Sequence, residues 1–167
     1  SMADNLMVPP HSLDAERAVL GSIFVDKDAL IKVSDFLASD DFYHDAHRII
    51  YDAIITLYDK RVPVDMVTLS AHLEDANHLQ IIGGVSYLAE VANEVPTSTH
   101  IFQYATIVKQ KAVLRKLIKA GDLIKGLGYK EEAEIDQLID DAEKSLFAVS
   151  QQHINDRFVH IKDVLNK

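Results

Sequence analysis

One stretch restricts the fold more than any other. From Thr97 to about Lys125 the chain reads as a single long helix, Gly126 and Gly128 end it, and a second helix follows from about Glu131 to Val149. Together these arms predict a helical hairpin. The second arm shows a narrow seam of Ile135, Leu138, Ala142 and Val149, with Ile139 and Leu146 beside it, close to coiled-coil spacing. One partner helix covers such a seam.

The first arm has a wider apolar arc. Ile101, Tyr104, Ala105, Val108 and Ala112 lie along one side, while Ile107, Leu114, Leu117, Ile118 and Ile124 spread around another. Two readings fit that arc: a central helix buried within its own domain, or a surface for a second subunit or partner. Charge favours the second. Lys109, Lys111, Arg115, Lys116, Lys119 and Lys125 stand on the first arm, and Glu131, Glu132, Glu134, Asp136, Asp140, Asp141 and Glu143 on the second. The complementarity serves one hairpin or two antiparallel ones equally, and exposed pairs set register more than stability.

Ahead of the hairpin the pattern predicts about five short helices in residues 12–96. Ser12 can cap the first, with Asp14 and Glu16 at the positive end of its dipole and Ala15, Val19, Leu20, Ile23 and Phe24 as its buried stripe. A short second helix carries Leu30, Val33 and Leu37. The clearest amphipathic stripe is Phe42, Ala46, Ile49, Ile50, Ala53, Ile54 and Leu57, ended near the turn before Pro63. Asp65 can cap a fourth helix bearing Val67, Leu69 and Leu73, a fifth follows Gly83-Gly84 from Val85 through Leu88 and Val91, and Pro96 closes the block.

Behind the hairpin, Ser150-Gln151-Gln152 loses the apolar period, and Phe158, Ile161, Val164 and Leu165 resume it for barely two turns. So short a helix needs something to pack on, which places its partner beyond Lys167. The fold expected is all-α: a bundle of about five or six short helices, a long hairpin over 97–150, and a linker with a short linker helix over 151–167. Residues 1–11 read as extended, with Ser1 before Met2 as a remnant of tag removal.

A chain of 167 residues, 48% apolar and 26% charged, can bury a core of its own. The formal net charge of -9 argues against a free-standing nucleic-acid binder, since phosphate affinity rests on Lys and Arg. With no cysteine, disulfides, thiolate metal sites and cysteine nucleophiles are excluded, which is consistent with a cytoplasmic home. No stretch reaches signal-peptide or membrane-spanning length.

Catalytic motifs are missing. There is no G-x-x-x-x-G-K-[ST] loop to cradle a nucleotide, and Gly83-Gly84 reads as a helix junction. No G-x-S-x-G elbow appears, and paired carboxylates such as Asp40 and Asp41 face apart. His44 and His47, three apart on a helix, form the one metal-like pair, with Asp40 or Asp41 as a further oxygen ligand; a real site would need ligands from elsewhere. The chain is therefore expected to be no enzyme and to hold no catalytic residue, cofactor or metal.

Specific strings point further. Pro9-Pro10-His11-Ser12-Leu13-Asp14-Ala15-Glu16-Arg17-Ala18-Val19-Leu20-Gly21-Ser22 resembles the opening of DnaB-type replicative helicases. Asp41-Phe42-Tyr43 followed by His47, then Pro63-Val64-Asp65-Met66-Val67-Thr68-Leu69, Ile82-Gly83-Gly84-Val85-Ser86-Tyr87-Leu88 and Tyr104-Ala105-x-Ile107-Val108 appear in the family's order. Phe158 and Ile161 are similar to its linker helix. Where many relatives carry glycine this chain has Asn77, which tolerates the left-handed backbone such a turn needs.

The resemblance implies a helical N-terminal domain whose hairpins pair as dimers, three dimers forming the collar of a hexamer. It implies a C-terminal RecA-like ATPase motor, absent from this sequence, to which ATP, Mg and helicase activity belong. It also implies a primase, docking through its C-terminal helicase-binding domain, and a helicase loader, with little or no direct DNA binding here and no membrane. On that reading Ile101, Tyr104, Ala105, Val108, Ala112, Ile135, Leu138 and Ala142 face a second subunit. Asp14, Tyr87, Ile118 and Ile124 meet primase, and Phe158, Ile161, Val164 and Leu165 dock the linker helix. The alternatives are an unrelated dimeric helical regulatory or adaptor domain, and a metal-dependent hydrolase built on His44 and His47.

Overall fold

The computed structural model describes residues 7–94 and 100–165. The readings placed on Ser1, Met2, Pro96, Thr97 and Lys167 lie outside them. Seven α-helices are present among the described residues: α1 (Leu13–Val25), α2 (Ala29–Val33), α3 (Asp45–Asp59), α4 (Met66–Asp75), α5 (Gly84–Asn93), α6 (Ile101–Leu127) and α7 (Ile135–Leu165). The chain divides into two compact units, one of His11–Gln110 and one of Ser1–Pro10 with Lys111–Lys167.

In the first unit Ser12 starts α1 by accepting the Ala15 N–H on its hydroxyl at 3.2 Å. Ala15, Val19, Leu20 and Ile23 are buried, and α1 packs against α2, α3 and α5. Asp65 caps α4 reciprocally: its carboxylate accepts the Thr68 N–H at 2.9 Å while the Thr68 hydroxyl accepts the Asp65 N–H at 3.0 Å. Phe42, Ile50, Tyr51, Ile54, Leu69, Leu73, Leu88 and Ile101 are almost wholly removed from solvent. Each such side chain contributes about 1.5–3 kcal/mol through the water it sheds.

Several elements differ from the sequence pattern. Leu37 lies beyond α2, and Phe42 precedes α3, behind a 3₁₀ turn Ser39–Asp41 in which the Asp41 carboxylate accepts the Ala38 N–H at 2.8 Å. Both are buried all the same, since a turn can point an apolar side chain inward as well as a helix can. Val67 and Val85 stand exposed on α4 and α5. The first unit also extends through Gln110, past the boundary expected at 96. It takes in the start of α6 because Ile101, Ala105 and Val108 are buried there and Phe102 meets Phe36 at 5.4 Å between ring centroids.

Three turns use left-handed backbone. Asn77 sits at φ 60, as its tolerance for that region allows, and Gly83 and Gly84 sit at φ 109 and φ 75 where α5 begins. Arg61, at φ 59, follows α3 in a Schellman turn, with the Val62 N–H donating to Leu57 at 2.9 Å and the Arg61 N–H to Tyr58 at 3.0 Å.

In the second unit the end of α6 is followed by a turn and then α7. Leu138, Ala142, Ser145 and Val149 make up a half-buried stripe along α7, whereas Ile135 is 69% exposed. The seam is thus thinner than its sequence suggests. No break occurs at Ser150-Gln151-Gln152: α7 runs unbroken to Leu165, so the expected separate linker helix is its last two turns. Losing the apolar period removes a buried face but leaves good helix formers, and Gln151–Asn155 and Gln152–Asp156 side chains bond one turn apart at 3.2 and 3.1 Å.

Candidate functional site

A polar network lies inside the apolar interior of the first unit. Glu16 on α1 is 1% exposed, and its carboxylate accepts the Tyr43 N–H at 2.8 Å, the His44 N–H at 3.2 Å and a contact from His47 Nδ1 at 2.8 Å. His47 on α3 is fully buried, and its Nε2 lies 2.6 Å from the Tyr87 hydroxyl on α5. Three helices therefore meet on one acceptor–imidazole–phenol chain. Burial pushes the Glu16 carboxyl up, but the hydrogen bonds from His47, Tyr43 and His44 outweigh it and hold the pKa below its ordinary value.

Arg17 stands beside Tyr87, and its guanidinium donates to Glu94 at 3.0 Å and to the exposed Asp14. Burial raises the Tyr87 phenol, with Arg17 working against it. Behind the network, His11 stacks on Tyr43 at 4.2 Å. A second buried pair pins the start of α6: Lys109 Nζ lies 2.9 Å from Asp41 Oδ2, and Asp41 is 1% exposed.

This geometry decides the metal reading of His44 and His47. Their rings lie 4.7 Å apart, but His47 has both nitrogens engaged by Glu16 and Tyr87 and has none to offer an ion. Among the described residues no group of three His, Asp or Glu could hold a metal.

The expected dimer surface needs correction. Ile101 and Ala105 are 0% exposed, Val108 1% and Ala112 2%, within this one chain. Their apolar area is already removed from water, so it cannot drive association with a second subunit. Tyr104 is half-buried on the same helix. The free apolar face of α6 is the opposite one, with Ile107, Leu114 and Ile118 along it and Leu117 beside. The central-helix reading holds for one side of α6, and a surface remains on the other.

Of the expected primase residues, Asp14 and Tyr87 come together in the first unit on either side of Arg17, which donates to Asp14 and lies beside the Tyr87 phenol. Ile118 and Ile124 stand on α6 in the second unit, exposed and half-buried respectively. Phe158, Ile161, Val164 and Leu165 are all exposed on α7. Phe147, Ile154, Phe158, Ile161 and Leu165 recur at seven, four, three and four, a face turned away from the half-buried stripe. Sequence reading missed the Glu16–His47–Tyr87 network as a unit, although its members stand in the motif strings.

Comparison with known proteins agrees with this architecture. The family model described as the DnaB-like helicase N terminal domain matches residues 8–110. The chain is 45% identical over 158 residues to the replicative DNA helicase DnaB of Geobacillus stearothermophilus, covering 95% of this chain and 35% of that protein. It is 43% identical over 161 residues to the replicative DNA helicase DnaC of Bacillus subtilis, covering 96% and 36%. It thus spans about a third of the length of these relatives. The crystal structure of the N-terminal domain of DnaB helicase from Mycobacterium tuberculosis superposes with a TM-score of 0.80 at 40% identity, over 84% of this chain and 99% of that one. A structure of a DnaB-like replicative helicase, described with its interactions with primase, superposes at 0.69 with 27% identity, over 83% of this chain and 31% of that one. The all-α fold, the order of the motif strings and these likenesses agree: the chain belongs to the DnaB-like helicase N-terminal domain family.

Proposed function

We propose that this chain is the collar and assembly domain of a bacterial, cytoplasmic replicative helicase, joining subunits and docking primase while a RecA-like motor elsewhere in the parent protein uses ATP and Mg. The observation that supports it most is the exposed apolar surface of the second unit: Leu114, Leu117 and Ile118 on α6, and Ile135, Ile139, Leu146 and Phe147 on α7. So much apolar area in a small helical unit is the mark of a surface that meets protein. The occupant is a second copy of the same chain: this apolar face is left uncovered within one chain, and the cationic α6 arm and the acidic α7 arm can then pair between antiparallel hairpins. Leu138 and Ala142 lend the seam their remaining exposed edge, and in the parent three such dimers form the collar.

Primase, through its C-terminal helicase-binding domain, meets Asp14, Tyr87, Ile118 and Ile124, and the helicase loader acts on the same assembly. Phe158, Ile161, Val164 and Leu165 dock on a neighbouring motor, with DNA contact left to other parts of the parent. The likeness to a helicase structure described with primase supports that partner. Titrating the cognate primase C-terminal domain into this chain by calorimetry tests the reading. Saturable binding that weakens on Ile118→Glu is expected; no heat across micromolar concentrations overturns it.

A further inference from the structure

The hydrogens of the Glu16–His47–Tyr87 chain have one arrangement in which each finds an acceptor within it. An ionised Glu16 offers only acceptors, so the hydrogen between it and His47 belongs to Nδ1. On its other side the phenol faces the Arg17 guanidinium, which offers only donors, so the phenol hydrogen finds no acceptor there. The phenol hydrogen then points at His47 Nε2, 2.6 Å away. A hydrogen on Nε2 would leave the phenol hydrogen without this acceptor.

We infer that His47 is a positioning residue: as the Nδ1–H tautomer it ties the buried Glu16 carboxylate to the outer Tyr87 hydroxyl and fixes the phenol in the orientation a partner meets. Its effect on binding rests on the Tyr87 contact proposed above. Gly83 supports the same arrangement, because a Cβ there would lie 2.9 Å from the Tyr87 Cβ and displace the ring. Tyr87 thus enters an interface with its rotamer already chosen, which removes an ordering cost from association.

Two measurements on the 167-residue chain test this. Long-range ¹H–¹⁵N NMR at neutral pH reads which His47 nitrogen holds the hydrogen: Nδ1 protonated and Nε2 bare is expected, and a hydrogen on Nε2 or on both overturns the inference. Calorimetry then compares Tyr87→Phe, His47→Gln and Tyr87→Ala against the cognate primase C-terminal domain. Tyr87→Phe and His47→Gln should each weaken binding about three- to tenfold. If Tyr87→Ala abolishes binding while both others bind as the unaltered chain does, positioning by His47 is refuted. If Tyr87→Ala binds normally and the NMR pattern holds, the contact reading falls and the tether stands. The NMR on the unaltered chain decides the tether even where His47→Gln does not fold.

Discussion

Glu16 accepts three donors in a place where water cannot replace them. Its folded pKa lies below the ordinary carboxylate value, so its contribution is fully present above the unfolded value of about 4.3 and is lost as pH falls through that value and then through the folded one. Urea unfolding of the unaltered chain should therefore weaken on acidification below about pH 5, and Glu16→Gln should blunt that loss while lowering stability at pH 7 by about 1.5–3 kcal/mol. Equal acid sensitivity in both proteins contradicts this account of Glu16. Arg61 is the opposite case, a side chain where the backbone favours glycine. Arg61→Gly trades left-handed strain against unfolded-state entropy, and a rise of the urea midpoint worth a few tenths to about 1 kcal/mol is expected. Lys109→Met removes one side of the buried Asp41–Lys109 pair and should lower stability by about 3 kcal/mol in the same measurement.

Among the elements, helices were legible where a cap and an apolar stripe coincided. Ser12 and Asp65 announce α1 and α4, and both side chains make the cap their type predicts. Phe42 misled because inward-pointing residues in a turn keep the same spacing as a helix for a few positions. The side of α6 was illegible for a different reason: periodicity shows that Ile101, Ala105, Val108 and Ala112 share a face, but nothing in a spacing says whether the same chain or another one covers it. The buried network was visible residue by residue in the strings around Glu16, His47 and Tyr87, yet their convergence needs the packing of α1, α3 and α5. α7 gives a clean prediction at this scale. Gln151→Pro removes a backbone donor from the middle of a continuous helix at a cost of about 3 kcal/mol, and circular dichroism should record lost helicity. An unchanged spectrum would mean that Ser150-Gln151-Gln152 is a break in solution.

For the whole molecule, chemistry recedes and surfaces remain. In the histidine pair that resembled a metal site, His47 has both ring nitrogens committed to internal hydrogen bonds, while the second unit leaves Leu114, Leu117, Ile139 and Leu146 uncovered. An exposed face of that kind on a chain of net charge -9 should associate with itself through paired basic and acidic arms, and salt should weaken that association. Sedimentation equilibrium over a hundredfold range of concentration, on the chain and on its Leu117→Glu variant, tests this most directly. The predicted result is a mass that rises to a dimer or beyond for the unaltered chain and stays at one chain for the variant; a single-chain mass for both at every concentration would contradict the assembly role.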